Sequence, residues 1–273
     1  MSEYLKAIIF GIVEGITEWL PVSSTGHMIL LDEFIKLDVS ENFREAFLVL
    51  IQLGAILAVI IIFWNKIFPF QFKMGKENII RKDIFSMWFK VVAAVIPSAI
   101  IGVLFDDFFE EKFYNYQTVS IALIVFGIFF ILIETWNKKK LPIVNSIGEL
   151  SYKTAVLIGL FQVIAAVFPG VSRSGATIVG ALLIGVSRTV AAEFTFFLAI
   201  PTMFGASLLK LVKLGFGFTT QEYIILVFGL LSAFLVSLLS IQFLMNYVKK
   251  HDFKVFGWYR IVLGSIVMAY FIC

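Results

Sequence analysis

The chain has 273 residues, of which 60% are hydrophobic and only 15% charged, with a formal net charge of +3 and a mean hydropathy of +0.97. A soluble domain carries about 25% charged residues, so this composition excludes one and defines a polytopic membrane protein. The small positive charge calls for no nucleic acid or other acidic partner, and a single cysteine, Cys273, excludes an internal disulfide and a thiolate metal cluster.

The N-terminal stretch has no basic region before its apolar part and no evident small-residue cleavage site. It also carries Glu14 and Glu18 where a secretory signal is apolar, so it is expected to belong to the mature protein. Residues 4–20 predict a helix that Pro21 stops. A polar turn, Ser23-Ser24-Thr25-Gly26-His27, follows, then a short apolar arm at 28–31 that ends at Asp32-Glu33. That arm is too short to cross a bilayer, which takes about 20 helical residues. Helix, turn and short return helix describe a re-entrant hairpin, whose irregular backbone survives at membrane depth only when buried in protein or lining a wet cavity.

Three spans are predicted next, at 43–64, 87–105 and 118–136, with Pro97 kinking the second. The hairpin pattern then returns: 155–168, a polar turn, and a return arm at 176–186. Spans at 188–212, 223–247 and 257–272 complete the chain, with a kink expected at Pro201. Gly11, Pro21 and Glu45 recur 148 residues later as Gly159, Pro169 and Glu193. A slip of one residue aligns Ser23 with Ser172 and Gly26 with Gly175. The expected fold is therefore all-α: one integral membrane domain, 1–273, of six transmembrane helices plus two re-entrant helical hairpins, in repeats of about 1–140 and 150–273.

The loops orient this scheme. Lys66, Lys73, Lys76, Arg81 and Lys82 follow the first span; Lys138, Lys139, Lys140 and Lys153 follow the third; Lys249, Lys250 and Lys254 follow the fifth. The positive-inside rule makes these loops cytoplasmic. The opposite loops are acidic (Asp106, Asp107, Glu110, Glu111) or nearly bare (215–222), with Lys210 and Lys213 an exception. Both termini then lie outside. Three spans per half is an odd number, so the halves run in opposite directions and form an inverted-topology repeat whose hairpin tips meet near the midplane.

Charges at membrane depth mark function. Glu14 and Glu18, at i and i+4, share a helix face. Two such carboxylates need a shared proton, basic neighbours or a cation. A hard divalent cation, Mg²⁺ or Ca²⁺, fits a pair of carboxylates completed by phosphate oxygens. The alternative is a polar helix face capped by Arg or Lys. Ser23, Ser24, Thr25 and Gly26 offer hydroxyls and turn amides to an anion, or simply cap the return helix. His27 is one of two histidines and suits proton exchange with Ser24, a water or a leaving group. Arg173 requires an anion, and its planar fork suits phosphate. Ser172, Ser174, Gly175 and Thr177 surround it with hydroxyls and a turn that opens a helix. A structural salt bridge from Arg173 to Glu14 or Glu18 is the competing account, and the two are compatible.

Residues 14–27 read EGITEWLPVSSTGH and residues 169–177 read PGVSRSGAT. These two runs, in this order and over essentially the whole chain, resemble the undecaprenyl-diphosphate phosphatases of the bacitracin-resistance type. The resemblance implies hydrolysis of a C55 isoprenyl diphosphate to the monophosphate and inorganic phosphate in the bacterial plasma membrane, recycling the lipid carrier of cell-wall synthesis. It also implies Glu14, Glu18, Ser24, His27 and Arg173 as the functional set and a supporting divalent cation. Expected partners are a polyprenyl diphosphate and membrane lipids, with a second copy of the chain as a candidate.

The mechanism expected is binding of the diphosphate by Arg173 and a cation on Glu14 and Glu18, attack by Ser24 or water, and proton handling by His27. Water activated by Glu18 is the rival. The first hairpin's opening favours an extracytoplasmic site. A transporter or flippase of a phosphorylated lipid is the alternative function. Phosphohistidine chemistry is disfavoured, because the only histidine after Arg173 is His251, in a basic loop. A non-catalytic scaffold leaves the buried charges unexplained.

Overall fold

The computed structural model describes residues 1–71 and 80–272, apart from the side chains of Asp106 and Glu110. Lys73, Lys76 and Cys273 of the sequence argument lie outside the described residues. Helix follows helix: α1 (Glu3–Thr17), α2 (Ser24–Phe34), α3 (Glu41–Ile62), the single turn α4 (Trp64–Ile67), α5 (Lys82–Phe113) and α6 (Tyr116–Asn137). The second half contains α7 (Tyr152–Val167), α8 (Arg173–Leu183), α9 (Arg188–Leu214), α10 (Thr220–Tyr247) and α11 (Lys254–Ile272). Among the described residues six helices, α3, α5, α6, α9, α10 and α11, are long and apolar enough to cross a membrane. The chain is an all-α polytopic membrane protein.

Packing follows a two-fold scheme. Helix α1 lies on α10 of the other half, and its counterpart α7 lies on α5. The like pairs α3·α9 and α6·α11 pack on each other, and each return helix, α2 or α8, touches its own hairpin partner and α6. The recurring glycines explain the first exchange. A Cβ on Gly11 would overlap the Gly229 carbonyl and Ser232 of α10, and one on Gly159 would overlap the Ala94 carbonyl of α5. Small residues let helix backbones approach closely where lipid supplies no hydrophobic drive. The duplicated Glu45 and Glu193 both tie the first half to α9's half: Lys210 of α9 bridges to Glu45 of α3 (2.9 Å), and Lys66 of the turn α4 that follows α3 bridges to Glu193 of α9 (2.8 Å). Lys213 pairs with Asp107 at 2.7 Å. The two lysines at odds with the loop charge rule thus both face carboxylates.

The hairpins differ from expectation at their tips. Helix α1 ends at Thr17 rather than 20, and the return helices begin at Ser24 and Arg173. The polar residues expected to form turns instead make the first turns of α2 and α8. Ser23 and Ser172 are the reason: each hydroxyl accepts the N–H three residues on, from Gly26 (3.3 Å) and Gly175 (3.2 Å), which starts the helix early. Both serines also hold left-handed φ, 74° and 69°. Such strain in a non-glycine residue costs of order 1–3 kcal/mol and persists only where surroundings enforce it.

Candidate active site

The two tips meet. Arg173 Nη2 donates to Glu18 Oε1 at 3.1 Å, and Arg173 Nη1 donates to the Thr195 carbonyl of α9 at 2.9 Å. Ser24 Oγ donates to the other Glu18 oxygen, Oε2, at 2.8 Å. Ser174 Oγ reaches the Glu18 carbonyl at 3.3 Å and lies 3.0 Å from Ser172 Oγ. Thr177 Oγ1 donates to the Arg173 carbonyl at 2.9 Å and lies 2.8 Å from Thr195 Oγ1, which fixes the arginine's backbone and its α9 wall together. Glu18, Ser24, Ser172, Arg173, Ser174 and Thr177 therefore converge on one centre, with Gly175 beneath Ser172. Thr25 lies half-buried beside Ser24 in the first turn of α2.

Glu14 stands one helical turn before Glu18, is only 1% exposed and neighbours both the Glu18 carboxyl and Arg173. Among the described residues its Oε1 has no hydrogen-bond partner, and neither has Arg173 Nε. A lone acceptor and a lone donor thus remain in one buried centre. Unmade hydrogen bonds there cost about 1–3 kcal/mol each, more for charged groups. An anion oxygen answers the Nε–H, and a cation or a proton answers the carboxylate.

The metal expectation meets a partial fit. No group of three or more His, Cys, Asp or Glu side chains gathers into a cage among the described residues. Two neighbouring carboxylates with one orphaned oxygen fit a hard cation that draws its remaining ligands from a diphosphate.

His27 is not where the proton-transfer scheme expected it. Its Nδ1 lies 2.7 Å from the Ser23 carbonyl and its Nε2 lies 2.6 Å from the Tyr259 hydroxyl of α11. Because Ser24 opens α2, His27 sits one turn further on and folds back over the cap carbonyl, so the proton partner of Ser24 in this structure is Glu18. His251 bonds its own helix end, through the Tyr247 carbonyl.

Three residues escaped the sequence argument. Arg260, fully buried on α11, donates to the carbonyls of Pro21 (3.3 Å), Gly170 (2.9 Å) and Val171 (2.7 Å), and so clamps both tips. A lone arginine inside an apolar span was the available signal. Tyr259 and Thr195 carried none beyond their type, since tertiary packing alone brings them in. Gln162, the counterpart of Glu14, is spent on structure: its Nε2 donates to Ser98 (2.6 Å) and approaches Thr202 (3.3 Å), each next to a helical proline.

Fold and site together define a polytopic membrane protein with a buried arginine–carboxylate–hydroxyl centre where two hairpin tips meet. The family model described as bacitracin resistance protein BacA matches residues 7–266, and the chain belongs to that family. It is 65% identical over 270 residues to undecaprenyl-diphosphatase 1 of Clostridium acetobutylicum, covering 99% of this chain and 98% of that protein. It is 62% identical over 271 residues to undecaprenyl-diphosphatase of Desulfitobacterium hafniense, covering 99% and 97%. An Enterococcus faecalis undecaprenyl-diphosphatase is 61% identical over 266 residues, covering 97% and 96%.

Proposed function

We propose that the chain hydrolyses undecaprenyl diphosphate to undecaprenyl phosphate and inorganic phosphate in the bacterial plasma membrane, and that the centre joining the hairpin tips is its active site. The observation that carries the site assignment is the Arg173 Nε–H, unpartnered among the described residues, in a buried centre that also holds Glu14 and Glu18, a donor that a phosphate oxygen satisfies. Arg173 binds the terminal phosphate and faces the charge that develops on it in the transition state. Ser172 and Ser174 present hydroxyls beside it, and the N-terminus of α8 favours the same anion.

Ser24 Oγ attacks the terminal phosphorus while Glu18 Oε2 takes its proton. The bond from that phosphorus to the bridging oxygen breaks, and undecaprenyl phosphate leaves. Water then cleaves the phosphoserine. In the rival course Glu18 activates water directly, and Ser24 only orients it. Glu14 and Glu18 would hold a divalent cation, which when bound neutralises diphosphate charge. The basic loops support placing the opening of the first hairpin on the extracytoplasmic side.

Turnover in detergent tests the reading against its alternative, a carrier of phosphorylated lipid. Purified protein releases phosphate from undecaprenyl diphosphate with no membrane barrier present, and chelator lowers the rate. Transport in sealed vesicles without any release in detergent makes it a carrier.

A further inference from the structure

A cavity of about 470 Å³ lies at the end of α8 away from Arg173. Helix α8 has 11 residues, which separates its ends by about 15 Å. That is half of a hydrocarbon core about 30 Å thick, so with the hairpin tips near the midplane the cavity falls at headgroup level. The ends of α6 and α8 and the start of α9 frame it, on the side that the positive-inside rule makes cytoplasmic. Its wall is preformed. The Ile143 amide donates to the Gly185 carbonyl at 2.7 Å and the Ser187 amide to the Val144 carbonyl at 2.9 Å, which straps this segment to the turn between α8 and α9. Lys138, Lys140 and Arg188 line the cavity, together with the acid Glu134. That acid is already answered: buried Glu134 accepts from Arg188 Nε at 2.8 Å, from Arg188 Nη2, and from the Phe253 amide at 3.0 Å. Lys140 Nζ lies 3.1 Å from the centroid of the Trp136 ring, which places the ammonium without neutralising it. Two lysine charges are therefore left to a ligand.

We propose that this cavity binds the headgroup of an anionic phospholipid from the cytoplasmic leaflet. Its lining residues Leu141 and Ile143 are 91% and 80% exposed. Apolar side chains that open are costly in water and at home against acyl chains. A ligand here meets cations on one side and apolar side chains on the other, which matches the two ends of a lipid. Basic pockets between membrane helices at this level suit such headgroups. The Asn137 Nδ2 donates to the Leu182 carbonyl at 2.8 Å, which leaves Oδ1 to accept a hydroxyl from the ligand. A phosphoglycerol headgroup supplies both the anion and the hydroxyl; a bare phosphate or a polyprenyl monophosphate lacks the glycerol. The site stands apart from the arginine centre and does not rest on the phosphatase reading.

Native mass spectrometry of the full-length protein in non-ionic detergent, titrated with phosphatidylglycerol or phosphatidylcholine, measures the binding. Wild type is expected to hold phosphatidylglycerol about tenfold more tightly. The double variant Lys138→Gln with Lys140→Gln removes two exposed cations, keeps the Arg188–Glu134 pair, and is expected to lose that preference, on the scale of two basic contacts. Lys249→Gln with Lys250→Gln makes the same charge change outside the cavity at the same end of the molecule, and is expected to keep the preference within about threefold. Equal affinity of wild type for the two lipids overturns the proposal, as does equal loss in the two double variants, which makes the effect one of diffuse surface charge. Undecaprenyl phosphate is expected to bind wild type and the cavity variant alike. If its binding weakens in the cavity variant and that of phosphatidylglycerol does not, the cavity belongs to a polyprenyl phosphate and the assignment fails. Displacement of phosphatidylglycerol by an equal concentration of inorganic phosphate makes it a site for a free anion, and also overturns the assignment.

Discussion

Divergence of the repeat is plainest at single residues. Glu14 sets a carboxyl beside Glu18 and Arg173, whereas its counterpart Gln162, whose Oε1 is likewise unpartnered among the described residues, commits its Nε2 to Ser98 and Thr202, so one copy kept the acid and the other took on packing. Ser24 and Glu18 form the pair on which the reaction course turns, at 2.8 Å. If the serine is the nucleophile, Ser24→Ala lowers kcat by at least about 10², the scale of losing a positioned reacting group. Acid-quenched wild type incubated with terminally labelled substrate then yields phosphoserine. A variant that keeps wild-type turnover and no trapped label hands the attack to water activated by Glu18. The motif residues were legible in the sequence because acids, an arginine and hydroxyls are out of place between apolar helices. The position of His27 was not, since one early hydrogen bond by Ser23 decides where α2 begins.

At the scale of helices, the exchange of α1 and α7 between halves depends on bare backbone at Gly11 and Gly159. Gly159→Ala is therefore expected to be destabilising by roughly 1–3 kcal/mol, the cost of forcing extra volume into close packing. Gly102→Ala on α5 has nothing within 4 Å of its new methyl and serves as control. Thermal unfolding in detergent reads the difference, and equal melting of the two variants contradicts the packing account. The span pattern was legible from length and hydropathy alone, and the recurrence of glycine pointed to equivalent positions. What each glycine touches was not, because the partner helix belongs to the other half and lies about 65 residues away for Gly159 and about 220 for Gly11. Arg260 escaped for a related reason: its three acceptors are main-chain carbonyls, which leave no mark on a sequence.

For the whole molecule, an odd number of spans per half implies two hairpins in opposed directions, and the positive-inside rule predicts which side is which. Cysteine scanning in a Cys273→Ser background checks this. A membrane-impermeant maleimide added to intact cells is expected to label Gly217→Cys and to spare Ser146→Cys until the membrane is opened; the reverse pattern inverts the topology. The reciprocal bridges Lys210–Glu45 and Lys66–Glu193 belong to this scale too, since they join opposite halves at both partners. Duplication accounts for the frame, and the frame brings an acid-bearing tip against an arginine-bearing one.

That meeting of unlike tips is the central claim, and Arg173 is the residue through which they touch. The most direct measurement compares phosphate release from undecaprenyl diphosphate by purified wild-type protein and by Arg173→Ala, with folding of both confirmed by their melting. The account predicts kcat/KM lower by about 10²–10³ in the variant, the scale of removing one transition-state donor. Folded Arg173→Ala protein that releases phosphate at the wild-type rate contradicts it.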